Sequence, residues 1–301
     1  MKGLLNRLLL AGLRRVPKKI VKPVAMRYIA GEGIEDAVRV VRTLNAGKMM
    51  ATIDALGEDV TTKGEADRAG DVCSKVLKTI QEERLNSNLS IKLSQIGLKI
   101  EARLGYENVI KILRAAGAYG NFVRIDMEDS SLTDSTLSLY ERLRAERFEN
   151  VGVVIQAYLR RSEEDVRRLL KLRANIRLVK GIYAEPEIIA LKDREEIREN
   201  YLRLLKILLE AGCYAAIATH DDFLINGGFQ YIREMNLPQN AYEFQMLYGV
   251  REKLRDQILA GGHRMRIYVP FGIHWYSYSL RRFQENPQMF RYILRALLVR
   301  D

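Results

Sequence analysis

Along the chain, short runs of apolar or alternating residues are each followed by a longer stretch in which apolar residues recur every three or four positions among frequent charges. The pattern occurs eight times, with runs at 49–54, 90–94, 122–126, 151–157, 176–180, 214–219, 242–247 and 266–269, starting 24 to 41 residues apart. Strands alternating with helices at this spacing predict right-handed βαβ crossovers and a parallel sheet, and eight units are enough to close it. A doubly wound open sheet would place a GxGxxG or P-loop after its first strand, and neither follows Asp54. The pattern therefore predicts a (β/α)8 barrel as one catalytic domain over residues 48–301. A helical segment over 1–47 precedes it, in which 34–44 has a helical apolar period ending at Asn45-Ala46-Gly47.

A barrel of this kind carries its chemistry where the strands end. Those ends are polar: Asp54 and Glu58, Lys92 and Ser94, Asp126 and Glu128, Gln156, Arg177 and Lys180, Thr219 and His220, Gln245, and Tyr268. For any one of them, capping the next helix or facing solvent is a sufficient explanation. Eight successive polar ends are harder to explain that way.

Composition changes the picture in one respect. The 301 residues carry a net charge of +11, but residues 1–30 contain eight bases and no acid, leaving only +3 for the other 271. A nearly neutral body argues against nucleic acid as a partner, since that footprint needs bases spread over a folded face. In the basic segment Leu4, Leu5, Leu8, Leu9, Leu13 and Val16 recur at helical spacing. That suits a helix lying on an anionic bilayer, or equally one packed on its own domain with solvated bases. No run approaches the ~20 apolar residues of a membrane-spanning helix, and no cleavable signal is evident. Cys73 and Cys213 are far apart and isolated, which fits a reducing, intracellular compartment. His220, His263 and His274 lack metal-ligand spacing, so no metal site is expected.

The last unit carries the strongest chemical signal. Arg281 and Arg282 are adjacent, and Glu285 follows at i+4 and i+3, where it can orient either guanidinium. Arginine suits a carboxylate held bidentately. With Lys92 at the barrel mouth, three cations would surround one small anion, a hypothesis of substrate-carboxylate binding.

The ordered set Leu56-Gly57-Glu58, Ile91-Lys92-Leu93-Ser94, Ile125-Asp126-Met127-Glu128, Gln156-Ala157-Tyr158, Arg177-Leu178-Val179-Lys180-Gly181-Ile182-Tyr183, Ala218-Thr219-His220-Asp221, Glu243-Phe244-Gln245-Met246-Leu247 and Arg281-Arg282-Phe283-Gln284-Glu285-Asn286 closely resembles the proline dehydrogenase family. The likeness spans about residues 49–290, and the compact length is similar to the monofunctional bacterial branch. The resemblance implies a distorted (β/α)8, TIM-type barrel holding FAD noncovalently. It implies oxidation of L-proline to Δ1-pyrroline-5-carboxylate, with electrons passed to a membrane quinone. The expected location is the cytoplasm, peripheral on the inner face of the cell membrane.

By matching positions, Arg281, Arg282 and Lys92 would grip the proline carboxylate, Tyr268 would pack its ring on the pyrrolidine, and Leu247 would supply an apolar wall. Asp126 would keep Lys92 charged and oriented, and Glu58 would pair with the first arginine as a gate. Gln156 and Arg177 would contact the isoalloxazine edge of the flavin. Val179, Gly181, Tyr183, Thr219, His220, Asp221, Gln245 and Glu285 would complete the cofactor shell. Asp221 stands where many bifunctional relatives carry Asn. Two rival readings are a Schiff-base aldolase using Lys92 or Lys180, and a non-enzymatic binding module driven by the basic N-terminus.

Overall fold

The computed structural model describes residues 17–57 and 59–285, with the backbone alone at Ile20 and 281–285. Eight parallel strands close into a barrel in chain order: β1 (Met50–Ala55), β2 (Ser87–Ile91), β3 (Val123–Ile125), β4 (Val151–Gln156), β5 (Ile176–Val179), β6 (Ala215–Ala218), β7 (Tyr242–Leu247) and β8 (Met265–Phe271). β8 closes on β1 with Thr52 opposite Tyr268 and Asp54 opposite Pro270. The predicted eight-stranded barrel is thus the fold.

The outer layer comprises α3 (Lys63–Glu82), α4 (Ala102–Ala118), α5 (Thr133–Ala145), α6 (Ser162–Leu170), α7 (Arg194–Glu210), α8 (Asp222–Glu234) and α9 (Glu252–Ala260). Before β1 lie α1 (Lys18–Ala25) and α2 (Ile34–Ala46), and after β8 lies α10 (Trp275–Glu285). Several starts are capped by their own side chains. Thr62 and Glu65 form a reciprocal box at α3, and Asp193 and Asp221 accept backbone N–H groups at α7 and α8.

Most strand boundaries agree with the apolar pattern, but β2 starts three residues earlier than the predicted 90–94 and ends at Ile91. Its first residues, Ser87 and Asn88, are polar yet buried, with Thr52 donating to the Asn88 amide oxygen at 2.5 Å. Polar side chains satisfied by partners inside the barrel do not show in an apolar pattern, so the predicted run begins after them. Conversely Leu93 and Ile96 are buried in the turn that follows, which extended the apolar run past the true strand end. Lys92 accordingly stands just beyond β2, at the mouth.

α2 contributes Ala37, Val38, Val41 and Leu44 to the main core. A second cluster joins Val21, Val24, Ala25, Tyr28 and Ile29 to Leu56, Trp275 and Tyr278, so α1 braces the start of α10. Lys22 pairs with Glu32 at 2.8 Å, and the Trp275 indole N–H donates to the same carboxylate at 3.1 Å. Gly249 has φ +69°, and a Cβ there would meet the Arg27 carbonyl oxygen at 1.6 Å, so the loop after β7 passes this segment with room only for glycine. The described end of the basic segment is therefore packed on the barrel, while the Leu-rich stretch 4–16 lies outside the described residues. Among the described residues no helix is long and apolar enough to cross a membrane.

Candidate active site

The strand order brings Lys92, Asp126, Tyr268 and Arg177 into one cluster at the C-terminal mouth, with Asp126 and Arg177 buried and Lys92 and Tyr268 half-buried. The Lys92 ammonium lies 2.8 Å from Asp54 Oδ1, 3.2 Å from Asp126 Oδ2 and 3.2 Å from the Tyr268 hydroxyl. Burial works against a charged lysine here, but the flanking Asp54 and the nearby Tyr268 and Asp126 outweigh it and hold the pKa well above the ordinary value. A Schiff-base lysine needs the opposite, a pKa brought down so that the free amine is present. These contacts thus argue against Lys92 as the lysine of an aldolase.

Asp126 is the hub. One carboxylate oxygen accepts from Ser90 Oγ at 2.6 Å and Arg177 Nη1 at 2.7 Å, and the other from the Tyr268 hydroxyl at 2.8 Å and from Lys92. Burial alone would favour its protonated form, yet Lys92, Arg177 and the hydroxyl donors bring its pKa below the usual carboxylate range. Burial and the carboxylates of Asp126 and Asp54 push Tyr268 far up, so its phenol is a neutral donor. Its ring has two cations nearby, Lys92 Nζ 5.9 Å and Arg177 Cζ 5.2 Å from the centroid.

From Arg177 the contacts continue down the barrel interior. Arg177 Nε donates to Gln245 Oε1 at 2.7 Å, and the Gln245 amide donates to Glu243. Glu243 also accepts from Arg266 Nε at 2.7 Å and the Tyr214 hydroxyl at 2.8 Å. Burial raises the Glu243 carboxyl, but Arg266 and these donors overcome it and bring it to about 2. A continuous series, Lys92–Asp126–Arg177–Gln245–Glu243–Arg266, therefore runs from one end of the barrel toward the other. Asp54, Ser90, Glu243 and Arg266 had no assigned role in the sequence reading. For Ser90 the misplaced β2 put it at the wrong strand end; for Glu243 and Arg266 the signal was a charge inside an otherwise apolar strand.

Around this cluster the other strand ends are arranged by their own contacts. Gln156 is buried at the end of β4, opposite Val179 in the β4–β5 register, and donates to the Glu128 carbonyl at 2.8 Å. Glu128, raised by burial, is held by the Ser94 hydroxyl and by its backbone N–H at 2.9 Å. Gly181 has φ +112°, and a Cβ there would stand 2.1 Å from the Tyr158 ring, so the chain after β5 passes flat against that ring. Tyr183 is half-buried in the same loop.

After β6, Thr219 Oγ1 accepts from the Asp221 N–H at 3.1 Å. His220 Nε2 accepts from the Leu247 N–H at 3.0 Å, which ties the β6 and β7 ends together. Burial, aided by Lys180 and Arg251, lowers His220 to about 4, so it is neutral at pH 7. Asp221 is otherwise engaged: it caps α8 and pairs with Arg198 at 2.8 Å and Lys180 at 3.2 Å. These contacts use its carboxylate to hold the loop. Leu247 is half-buried and lies opposite Tyr268. Arg281, Arg282 and Glu285 are on α10, whose start is braced by α1. Their side chains and residue Glu58 lie outside the described residues.

Two buried polar atoms in the mouth lack hydrogen-bond partners, Asp54 Oδ2 and Arg177 Nη2. In a protein interior such groups are normally satisfied, so both atoms have capacity for a further partner.

A family model for proline dehydrogenase matches residues 37–291. Proline dehydrogenase 1 of Bacillus subtilis is 42% identical over 274 residues, covering 91% of this chain and 90% of its own length. Proline dehydrogenase of Deinococcus radiodurans is 37% identical, with the same coverage of each. The crystal structure of proline utilization A from Bdellovibrio bacteriovorus, inactivated by N-propargylglycine, superposes with a TM-score of 0.83 at 28% identity. It covers 89% of this chain and 33% of that longer one. The closed barrel, its charged mouth and these relatives agree that the chain belongs to the proline dehydrogenase family, oxidoreductases acting on proline.

Proposed function

We propose that the protein oxidises L-proline to Δ1-pyrroline-5-carboxylate with FAD as its resident acceptor and a membrane quinone as the final one, the first step of proline catabolism to glutamate. The observation that carries this reading is Lys92 kept charged between Asp54 and Asp126 beside the ring of Tyr268. That combination offers a fixed cation for a carboxylate next to a flat apolar face for a small ring. Arg281 and Arg282 would add two guanidinium groups to the same carboxylate, with Leu247 as the facing wall and Glu58 as a gate that excludes water.

The residues present fit a flavin. Arg177 has an unpartnered buried N–H, and Gln156, Val179, Thr219 and the neutral His220 stand at adjoining strand ends. Gln156, Arg177 and Gln245 would hold the ring edge. Val179, Gly181, Tyr183, Thr219, His220 and Glu285 would hold the rest, with Asp221 positioning the loop they share. When bound, FAD supplies a two-electron acceptor for the hydride of the proline ring carbon.

The chain's own contribution is positioning. Clamping the carboxylate fixes the ring carbon, and orientation of this kind is worth up to about 7–11 kcal/mol. The cations around the carboxylate also disfavour a protonated substrate amine, which leaves the nitrogen lone pair available. Tyr268 stays neutral and Lys92 stays charged, so neither is needed as a proton carrier.

A cytoplasmic enzyme resting on the anionic inner face of the membrane through its basic N-terminus would meet the quinone there. The direct test is the visible spectrum of the purified protein. A yellow preparation bleached by L-proline is expected, and a colourless protein that does not take up FAD would overturn the reading.

A further inference from the structure

At the opposite, N-terminal end of the barrel lies a polar cavity of about 460 Å³, within the range of small-molecule sites. Four guanidinium groups line it, Arg84, Arg124, Arg264 and Arg266, against a single carboxylate, Glu243. That carboxylate is already committed to Arg266 and Tyr214. Arg264 and Arg84 have no carboxylate within ion-pair distance among the described residues; Arg264 instead lies 3.3 Å from Met50 Sδ and 6.0 Å from the centre of the Tyr214 ring.

Arg124 is the built part of the site. It is 2% exposed, and its Nη1 donates to the Val153 and Asn175 carbonyls at 2.9 and 2.6 Å, while Nε is buried without a partner. Gly152 makes room for it, since a Cβ there would stand 2.4 Å from Arg124 Nη1. Burial and the charge of Arg177 pull Arg124 down to about 9, which still leaves it charged at pH 7 and short of negative partners. Capping of backbone carbonyls accounts for part of Arg124 and Arg266. It does not account for Arg264, Arg84 or the unpartnered Nε. A buried cation left unpaired is costly, and an anion relieves that cost.

We infer that this cavity at the N-terminal end of the barrel is a binding site for a small multivalent oxyanion, a phosphate or polycarboxylate, held by Arg84, Arg124 and Arg264 on the side of the barrel opposite the proline site. Tyr119 and Phe122 give the cavity an aromatic wall, so an organic oxyanion fits it as well as an inorganic one.

The test is calorimetric titration of the holoprotein with inorganic pyrophosphate and, separately, succinate, at an ionic strength held constant with sodium chloride. Saturable binding of either probe is expected. Pyrophosphate alone would assign the site to phosphates and succinate alone to carboxylates. Arg264→Gln should weaken binding about tenfold, the loss of one charge-assisted contact. Arg84→Gln, at an exposed position, should weaken it in the same direction, and both variants should keep proline oxidation within about twofold. Arg39→Gln, on α2 and away from the cavity, should bind as the wild type does. Failure of both probes to saturate, unchanged affinity in Arg264→Gln, or inhibition competitive with proline would each overturn the assignment.

Discussion

Replacing Asp126 with Asn tests whether one carboxylate organises the mouth. Asp126 accepts four hydrogen bonds, two of them from cations at 2.7 and 3.2 Å. An amide of the same shape keeps one acceptor oxygen but turns an N–H pair toward groups that are themselves donors. Unit charges about 3 Å apart at an effective dielectric near 20 attract by about 5 kcal/mol, of which desolvation already offsets part. Removing one member of a buried pair costs about 3–5 kcal/mol, because Arg177 then stays buried without its counter-charge. For a chain of this size that corresponds to a melting point lower by about 5–8 °C.

Asp54 is the natural comparison. One of its oxygens accepts from Lys92 at 2.8 Å, the other has no partner among the described residues, and Lys92 would keep Asp126, so Asp54→Asn should cost only about 1–3 kcal/mol. Calorimetry of the holoproteins, with steady-state proline oxidation on the same samples, gives the comparison. If Asp126→Asn melts within about 2 °C of the wild type, or no lower than Asp54→Asn, the assignment of Asp126 as the hub is refuted.

Further outcomes follow from the same contacts. Glu243 has a folded pKa of about 2 against an ordinary 4.5, a lowered value whose stabilisation is present above pH 4.5 and lost as pH falls through 2. The difference is worth about 3 kcal/mol at neutral pH, so Glu243→Gln should flatten the loss of stability in urea titrations between pH 5 and pH 3; an unchanged slope would count against it. Arg281→Met and Arg282→Met should each lower kcat/KM for proline about 10²–10³-fold with melting unchanged, as expected for losing a bidentate charged contact, and near-normal activity would remove them from the substrate site. Deleting residues 1–16 should release the enzyme from anionic vesicles while dye-linked activity persists, and retained binding would place the membrane contact elsewhere. Deleting residues 1–30 should instead destabilise the fold, because Val21, Val24, Tyr28 and Ile29 are buried against Trp275 and Tyr278, each such side chain contributing about 1.5–3 kcal/mol.

What the sequence determined by itself is local and periodic. A strand fully buried in a barrel announces itself as a short apolar run, and a covering helix as a 3.6-residue period, so the eight units and the polar positions at their ends were legible. The pairing of Lys92 with Asp126 and the place of Tyr268 followed from the family resemblance, and the structure brings them within hydrogen-bond distance. The tertiary structure alone decided how the buried charges are satisfied. Arg177 reaches Asp126 across 51 residues of sequence and Tyr268 reaches it across 142, separations at which no local pattern reports a partner. Ser87 and Asn88 fell outside the predicted strand and Glu243 and Arg266 lay inside theirs without an assigned role, because their polarity is compensated by groups that barrel closure delivers. Periodicity depends on neighbours along the chain and was therefore readable. Compensation of buried charge depends on neighbours in space, and the closed barrel is what supplies them.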